Sequence, residues 1–216
     1  MRQLLTIIMC CFAVTLAGCE SVKYSALEKV GIHKRDILID RIEDTQEAQS
    51  DGQEQFQSAL EQFRSVVAFD GGELERMYSK FNDEYEACEE AANDISAHID
   101  SVESVANALF SEWQDELDQY QNAKLRRASE RQLQDTKQRY RQILGAMRQS
   151  ERAIAPVLAI LRDNVLFLKH NLNARAIGSL RGELTNIDRE VAQLTQSMQR
   201  SIAESQRFID TLKDAP

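Results

Sequence analysis

Proline, glycine and aromatic residues are scarce in this chain of 216 residues, which has two prolines, eight glycines and 6% aromatics. Sheet proteins need turns at short intervals, and turns depend on proline and glycine. Glu, Gln, Arg, Ala and Leu, which form helices readily, are abundant instead. The composition therefore argues against a β-rich fold and predicts an all-α protein of long helices.

A hydrophobic run long enough to cross a bilayer is also missing. The apolar stretch from Leu4 to Leu16 follows a single basic residue, Arg2, and is shorter than the roughly 20 residues that a spanning helix needs. We therefore expect residues 1–18 to be a secretion signal rather than a membrane anchor.

The signal closes on Leu16-Ala17-Gly18-Cys19, which resembles the lipobox of bacterial lipoproteins. Small Ala17 and Gly18 suit a narrow cleavage site, and the Cys19 thiol would take the lipid. The resemblance implies N-acylation as well, for example with palmitate, and several acyl chains anchor a protein almost permanently. Glu20 follows instead of Asp, which by the same resemblance implies the outer membrane, with the body in the periplasm. The alternative is an ordinary signal peptide with a cysteine there by chance.

Paired cysteines are absent from the predicted mature chain. Cys10 and Cys11 leave with the signal and Cys19 carries lipid, so Cys88 alone remains of the four cysteines, and no intramolecular disulfide can form. Cys88 shares an apolar stripe with Phe81, which predicts a small buried hydrophobe. A disulfide between chains is the alternative.

An excess of basic residues is lacking as well, since 26 basic and 35 acidic side chains give a net charge of −9. Removing the signal takes away Arg2 and no acidic residue. Broad nucleic-acid binding needs a dominant positive field, so no nucleic-acid partner is expected.

What the chain does have is heptad periodicity. After a lipidated tether over residues 19–32, apolar residues recur at spacings of three and four through residues 33–216, which predicts coiled-coil packing. The first predicted helix, 33–69, has a seam with a polar middle: Leu38, Ile42, Thr45, Gln49, Gly52, Phe56, Ala59, Phe63 and Val66. A second helix is predicted over 73–121, a third from a start between 122 and 129, and a fourth after Asn171–Asn173.

Short connections force sequential helices to lie antiparallel, so the chain predicts an elongated up-down-up-down bundle of about four long helices. No clear turn separates the second and third helices. A continuous rod over these two helices, or a swapped dimer, is therefore an alternative.

Three stretches of the chain resemble a family of bacterial helical lipoproteins of unknown function (DUF2959-like). They are Leu27-Glu28-Lys29-Val30-Gly31, Lys34-Arg35-Asp36-Ile37-Leu38 and Phe167-Leu168-Lys169-His170-Asn171-Leu172-Asn173-Ala174. The resemblance extends over nearly the whole mature chain. It implies a helical fold and an envelope location, but it carries no activity, substrate or catalytic residue.

The sequence has few residue patterns typical of metal-binding or catalytic sites. His33, His98 and His170 are not paired at metal-ligand spacing, and the Glu-x-x-His repeats of di-iron bundles are missing. Nucleophile elbows and glycine-rich phosphate loops are missing too. We therefore expect no metal, no cofactor and no enzymatic activity.

Two clusters of polar residues stand out, one at each end of the predicted bundle. Cations are stabilised near anionic headgroups, so a basic cluster at one end could face the membrane. It comprises Lys29, Lys34, Arg35, Lys124, Arg126, Arg127 and Arg131. A docking tip for a partner comprises Lys169, His170, Asn171, Asn173 and Arg175. An ordinary solvated patch and a simple helix cap are the respective alternatives.

The sequence favours a lipid-anchored helical spacer or scaffold that acts through contacts with an unknown envelope protein, with homo-oligomers also considered. The alternative is a module that binds a small or lipidic ligand between helices. A cavity at the polar middle of the first seam, around Thr45, Gln49 and Gly52, would favour that alternative.

Overall fold

A computed structural model describes residues 33–213 except Asp70 and Gly72. The predicted signal, Cys19, the tether and Lys29 lie outside these residues. The described helices are α1 (Lys34–Val67), α2 (Leu74–Glu116), α3 (Ala123–His170), α4 (Ala174–Leu180) and α5 (Leu184–Lys213), with a 3-10 helix at Leu117–Gln119. Within the described ranges no strand occurs, so the all-α expectation is confirmed.

The four long helices form an antiparallel bundle. α1 packs against α2 and α5, and α3 packs against the same two helices, so α1 and α3 occupy opposite corners. We call the end that holds Lys34, the 3-10 helix and Lys213 the proximal end. The distal end holds the α1–α2 connection and the residues from His170 to Leu184. α3 alone, with 48 residues, is about 72 Å long.

A clear break separates α2 from α3, so the continuous rod is wrong. α2 passes into the 3-10 helix, and Tyr120 is extended. The Asn122 side chain then caps α3 by accepting hydrogen bonds from the backbone amides of Lys124 and Leu125 at 2.9 and 3.3 Å. Asparagine is a preferred N-cap because its oxygen satisfies amides that have no partner within the helix.

The predicted fourth helix is two helices. The short α4 ends at Leu180, and α5 begins at Leu184. Between them the amides of Gly182 and Glu183 bond to carbonyls three residues back, at 3.2 and 3.0 Å. This tighter spacing turns the chain before α5. The buried residues Ile187, Val191, Leu194 and Met198 of α5 then recur at spacings of three and four.

The heptad seam of α1 is confirmed, because all nine of its predicted residues are buried. The seams of α2, α3 and α5 also supply most of the core. Phe63 of α1 contacts Phe81 of α2 with ring centroids 5.4 Å apart. Tyr120 lies within the range predicted for the second helix but is exposed, because the helix has ended before it.

The polar middle of the α1 seam is filled by neighbouring side chains. Gln49 donates a hydrogen bond to Ser150 of α3 at 2.7 Å, and Thr45 bonds back to the Arg41 carbonyl at 2.7 Å. A Cβ added to Gly52 would lie 2.8 Å from Cδ1 of Ile95. Gly52 nevertheless lines an open groove of about 420 Å³ between α1 and α2, together with Ala48, Ala91 and His98, so a ligand site at this position stays a prediction.

Among the described helices, none is both long and apolar enough to cross a membrane.

Candidate functional site

The described residues form a cleft of about 650 Å³ at the proximal end. It exists because the helices are unequal in length. Lys34, the first residue of α1, pairs with Glu112 of α2 at 3.0 Å, whereas α2 continues to Glu116. The hairpin of α2 and α3 therefore extends beyond α1, and among the described residues a space remains between these two helices and the end of α5.

The floor of the cleft is apolar. Leu109 and Trp113 come from α2, and Phe208 and Leu212 come from α5. Trp113 is half-buried, and its indole N–H donates to the Ser129 hydroxyl at 2.8 Å. This hydrogen bond satisfies the only polar atom of the side chain, so the ring presents hydrocarbon to the cleft.

An aromatic group supports this floor from beneath. The ring of Tyr140 lies between those of Phe110 and Phe208, with centroid distances of 5.3 and 6.5 Å. Burial raises the pKa of the Tyr140 hydroxyl, and the negative charge of Glu103 raises it further. The Tyr140 hydroxyl therefore stays protonated, and the floor carries no phenolate charge.

The rim of the cleft carries charges of both signs. α3 contributes Arg131, Asp135 and Arg139, which recur every four residues and therefore lie on one face of the helix. Glu116 of α2 and Arg35 of α1 complete the charged rim. Within the described ranges Arg131 and Arg139 form no ion pair, so their guanidinium groups are available to a ligand.

The sequence-predicted basic cluster divides into separate groups. Arg35 and Arg131 line the cleft, whereas Lys34 is 5% exposed and paired with Glu112. Lys34 is therefore not part of an exposed surface, because its ammonium group is used to hold α1 against α2.

The remaining described members of that cluster lie at the start of α3. Arg126 pairs with Asp118 at 2.8 Å, and Lys124 and Arg127 are exposed. Leu125, between them, is 55% exposed. The first turn of α3 thus presents an apolar side chain among cations.

At the distal end, the predicted tip contains residues of two kinds. Asn171 donates its side-chain amide to the Phe167 carbonyl at 2.9 Å, and Asn173 accepts from the Arg175 amide at 3.0 Å. These two asparagines stabilise the ends of helices, as the helix-cap alternative proposed. Lys169, His170 and Arg175 are exposed.

Exposed apolar side chains accompany these cations, and the predicted tip did not include them. Leu166, Phe167 and Leu172 are 45%, 39% and 41% exposed. The signal for two of them was helical periodicity. Val165 and Leu168, three residues apart, both face the core, so Leu166 and Phe167 must face outward.

Cys88 is buried between α1 and α2, as predicted. Its thiol contacts the Gln55 carbonyl at 3.7 Å, and burial raises its pKa to about 12. A thiol with so high a pKa is a poor nucleophile at neutral pH. No cluster of three or more potential metal-ligating His, Cys, Asp or Glu side chains occurs in the described part of the chain.

The fold and its two ends define an elongated all-α bundle with an open cleft at one end and an exposed apolar and basic surface at the other. Comparison of the chain with known families gives a match to the family described as "Protein of unknown function (DUF2959)", over residues 23–212. The chain belongs to this family. No curated protein and no solved structure matches it.

Proposed function

We propose that the protein is a lipid-anchored, non-enzymatic spacer of the bacterial envelope that holds a protein-docking surface away from its membrane. In this proposal Cys19 carries the lipid, the anchor lies in the outer membrane and the bundle projects into the periplasm. The docking surface is the distal tip, which we define as Leu166, Phe167, Lys169, His170, Leu172 and Arg175.

The observation that carries the proposal is the exposure of three large apolar side chains among cations at the end opposite the start of α1. Exposed apolar groups that are rimmed by polar residues are typical of interaction sites. Aromatic anchors such as Phe167 contribute much of the binding energy of protein interfaces. The cations favour a partner that has an acidic rim around an apolar pocket.

The length of the bundle supports the spacer role. Because α1 starts at the proximal end, an anchor at Cys19 would attach to that end through residues 20–32. The tip would then lie some tens of ångströms from the membrane, given the length of α3.

In-cell photocrosslinking at Phe167 tests the docking surface. The control is the same crosslinker at Leu125, an apolar residue at the proximal end that is more exposed than Phe167. We expect one protein adduct that is specific to Phe167 and that is lost when Leu166→Gln and Leu172→Gln are added. Equal adducts at both positions, or none at Phe167, would contradict the tip. An adduct with twice the chain mass would identify a second copy as the partner.

The anchor requires a separate test, because the tip and the anchor can fail independently. Cells labelled with radioactive palmitate should incorporate it into the wild-type chain and not into Cys19→Ser. Equal labelling of the two chains, or no labelling of either, would contradict lipidation at Cys19.

A further inference from the structure

We propose that the proximal cleft binds one lysophospholipid molecule with a zwitterionic head, such as a lysophosphatidylethanolamine. The acyl chain lies on the apolar floor, the phosphate faces Arg131 and Arg139, and the ammonium faces Glu116 and Asp135. The proposal concerns the end opposite the distal tip and does not depend on it.

The size and lining of the cleft fit a single acyl chain. A volume of about 650 Å³ lies within the range of roughly 300–1,000 Å³ that is typical of small-molecule sites. Leu109 and Trp113 of α2 and Phe208 and Leu212 of α5 supply its apolar lining.

The charge pattern of the rim favours a head with both a phosphate and an ammonium. Arginine binds phosphate oxygens through parallel N–H donors, and both Arg131 and Arg139 lack ion pairs in the described residues. Glu116 and Asp135 on the same rim would repel a purely anionic head. A zwitterion satisfies both signs, whereas a fatty acid satisfies only the arginines.

Trp113 provides a direct readout, because it is the only tryptophan in the sequence and it lines the cleft. The probe is a lysophosphatidylethanolamine brominated on its acyl chain, kept below its micelle concentration. The full chain carrying Cys19→Ser, in buffer without detergent, is titrated while tryptophan fluorescence is recorded. We expect saturable quenching with one lipid bound per chain.

A side chain that fills the cleft should weaken lipid binding and so reduce the quenching of Trp113. Ala128 is exposed and lines the opening, so Ala128→Leu adds volume inside the cleft without disturbing the core. We expect Ala128→Leu to weaken binding at least tenfold, and the control Ala159→Leu, at an exposed alanine farther along α3, to leave it unchanged. Circular dichroism checks that both variants remain helical.

Separate variants test whether Arg131 and Arg139 bind the phosphate of the lipid head. Arg131→Gln with Arg139→Gln should weaken the lysophospholipid about tenfold and leave a brominated monoacylglycerol unaffected, whereas Arg152→Gln, at an exposed arginine of α3, should affect neither ligand. Absence of saturable quenching, or equal affinity in Ala128→Leu, would overturn the cleft as a lipid site. A brominated fatty acid that binds more tightly than the lysophospholipid would overturn the zwitterionic head.

Discussion

Gln49 of α1 donates its side-chain amide to the hydroxyl of Ser150 on α3 at 2.7 Å, and both residues are fully buried. The two helices occupy opposite corners, so this hydrogen bond crosses the centre of the core. The Ser150 hydroxyl in turn donates to the Met147 carbonyl at 2.7 Å. The side-chain oxygen of Gln49 has no hydrogen-bond partner within the described structure. Only the amide N–H of this side chain is therefore satisfied.

Substitutions at the two ends of this hydrogen bond should have opposite effects on stability. Ser150→Ala leaves the Gln49 amide buried without an acceptor, which costs about 1–3 kcal/mol. Gln49→Leu removes both the amide and its unpartnered oxygen, and we expect it to raise the free energy of unfolding by about 1 kcal/mol. Urea denaturation measures both variants. Destabilisation by Gln49→Leu would indicate that a bound water or a partner satisfies the Gln49 oxygen.

Two glycines within helices should also respond in opposite directions. Gly145 of α3 has nothing within 4 Å of an added Cβ, whereas Gly52 of α1 would meet Ile95 Cδ1 at 2.8 Å. Gly145→Ala should therefore stabilise the protein by about 1 kcal/mol through helix propensity alone. In Gly52→Ala the same gain in helix propensity should be offset by overpacking against Ile95, so we expect no increase in the free energy of unfolding.

A second substitution tests whether contact with Ile95 causes the overpacking in Gly52→Ala. Ile95→Val removes the Cδ1 atom that the new methyl group would meet. In the Ile95→Val background we expect Gly52→Ala to become stabilising, as judged by urea denaturation of the four chains in the cycle. If Gly52→Ala has the same effect in both backgrounds, Ile95 is not the residue that limits the space.

The core could be predicted from the sequence because it depends on local periodicity. Leu38, Phe56 and Phe63 follow a strict heptad pattern, and the helix must bury them together. The N-cap at Asn122 was also visible in principle, since asparagine before a helical stretch is a start signal. Gly182 gave a comparable signal for the break between α4 and α5.

The proximal cleft could not be predicted, because it arises from helices that end at different levels. Its floor combines Trp113 and Phe208, which are far apart in the sequence and meet only in the folded bundle. Lys34 was predicted to be exposed for the same reason, since its burial depends on Glu112 of a different helix. Side chains that meet across helices carry no periodic signal.

Alkaline pH should destabilise the protein partly through Cys88. The unfolded thiol ionises near pH 8.5, whereas burial raises the pKa of Cys88 in the folded protein to about 12. Between these values the unfolded state releases a proton that the folded state keeps, so stability falls as the pH rises. Below about pH 8 the contribution is fully present.

The measurement compares the wild-type chain with Cys88→Ala by urea denaturation at pH 7.5 and 10.5. We expect the wild-type chain to lose about 2 kcal/mol more than the variant over this range. Tyr140 titrates in both chains and cancels in the comparison. Equal losses would mean that the Cys88 thiol is accessible to water in the folded protein.

Arg148 of α3 pairs with three carboxylates, two of which lie on α2 and join the two helices. Its guanidinium donates to Asp100 at 2.6 Å and Glu103 at 2.8 Å on α2, and it pairs with Glu151 on its own helix at 3.1 Å. Burial lowers the pKa of Arg148, but hydrogen bonds to Glu103, Asp100 and Glu151 outweigh this and raise it. The cation is therefore retained, and it neutralises a cluster that would otherwise repel itself.

Removing this cation should destabilise the bundle in a way that depends on salt. We expect Arg148→Met to cost about 1–2 kcal/mol at low ionic strength, because a network partly shielded from solvent is lost and three carboxylates remain together. Salt at about 1 M shortens the screening length to about 3 Å and should reduce the loss. Arg148→Lys keeps the charge but not the planar fork, so its loss of stability should be smaller and less dependent on salt.

The control is Arg41→Met, which breaks one pair with Asp44 within α1 and should cost less than about 0.5 kcal/mol. A loss in Arg148→Met that does not change with salt would assign the effect to packing of the arginine stem against α2 and not to charge.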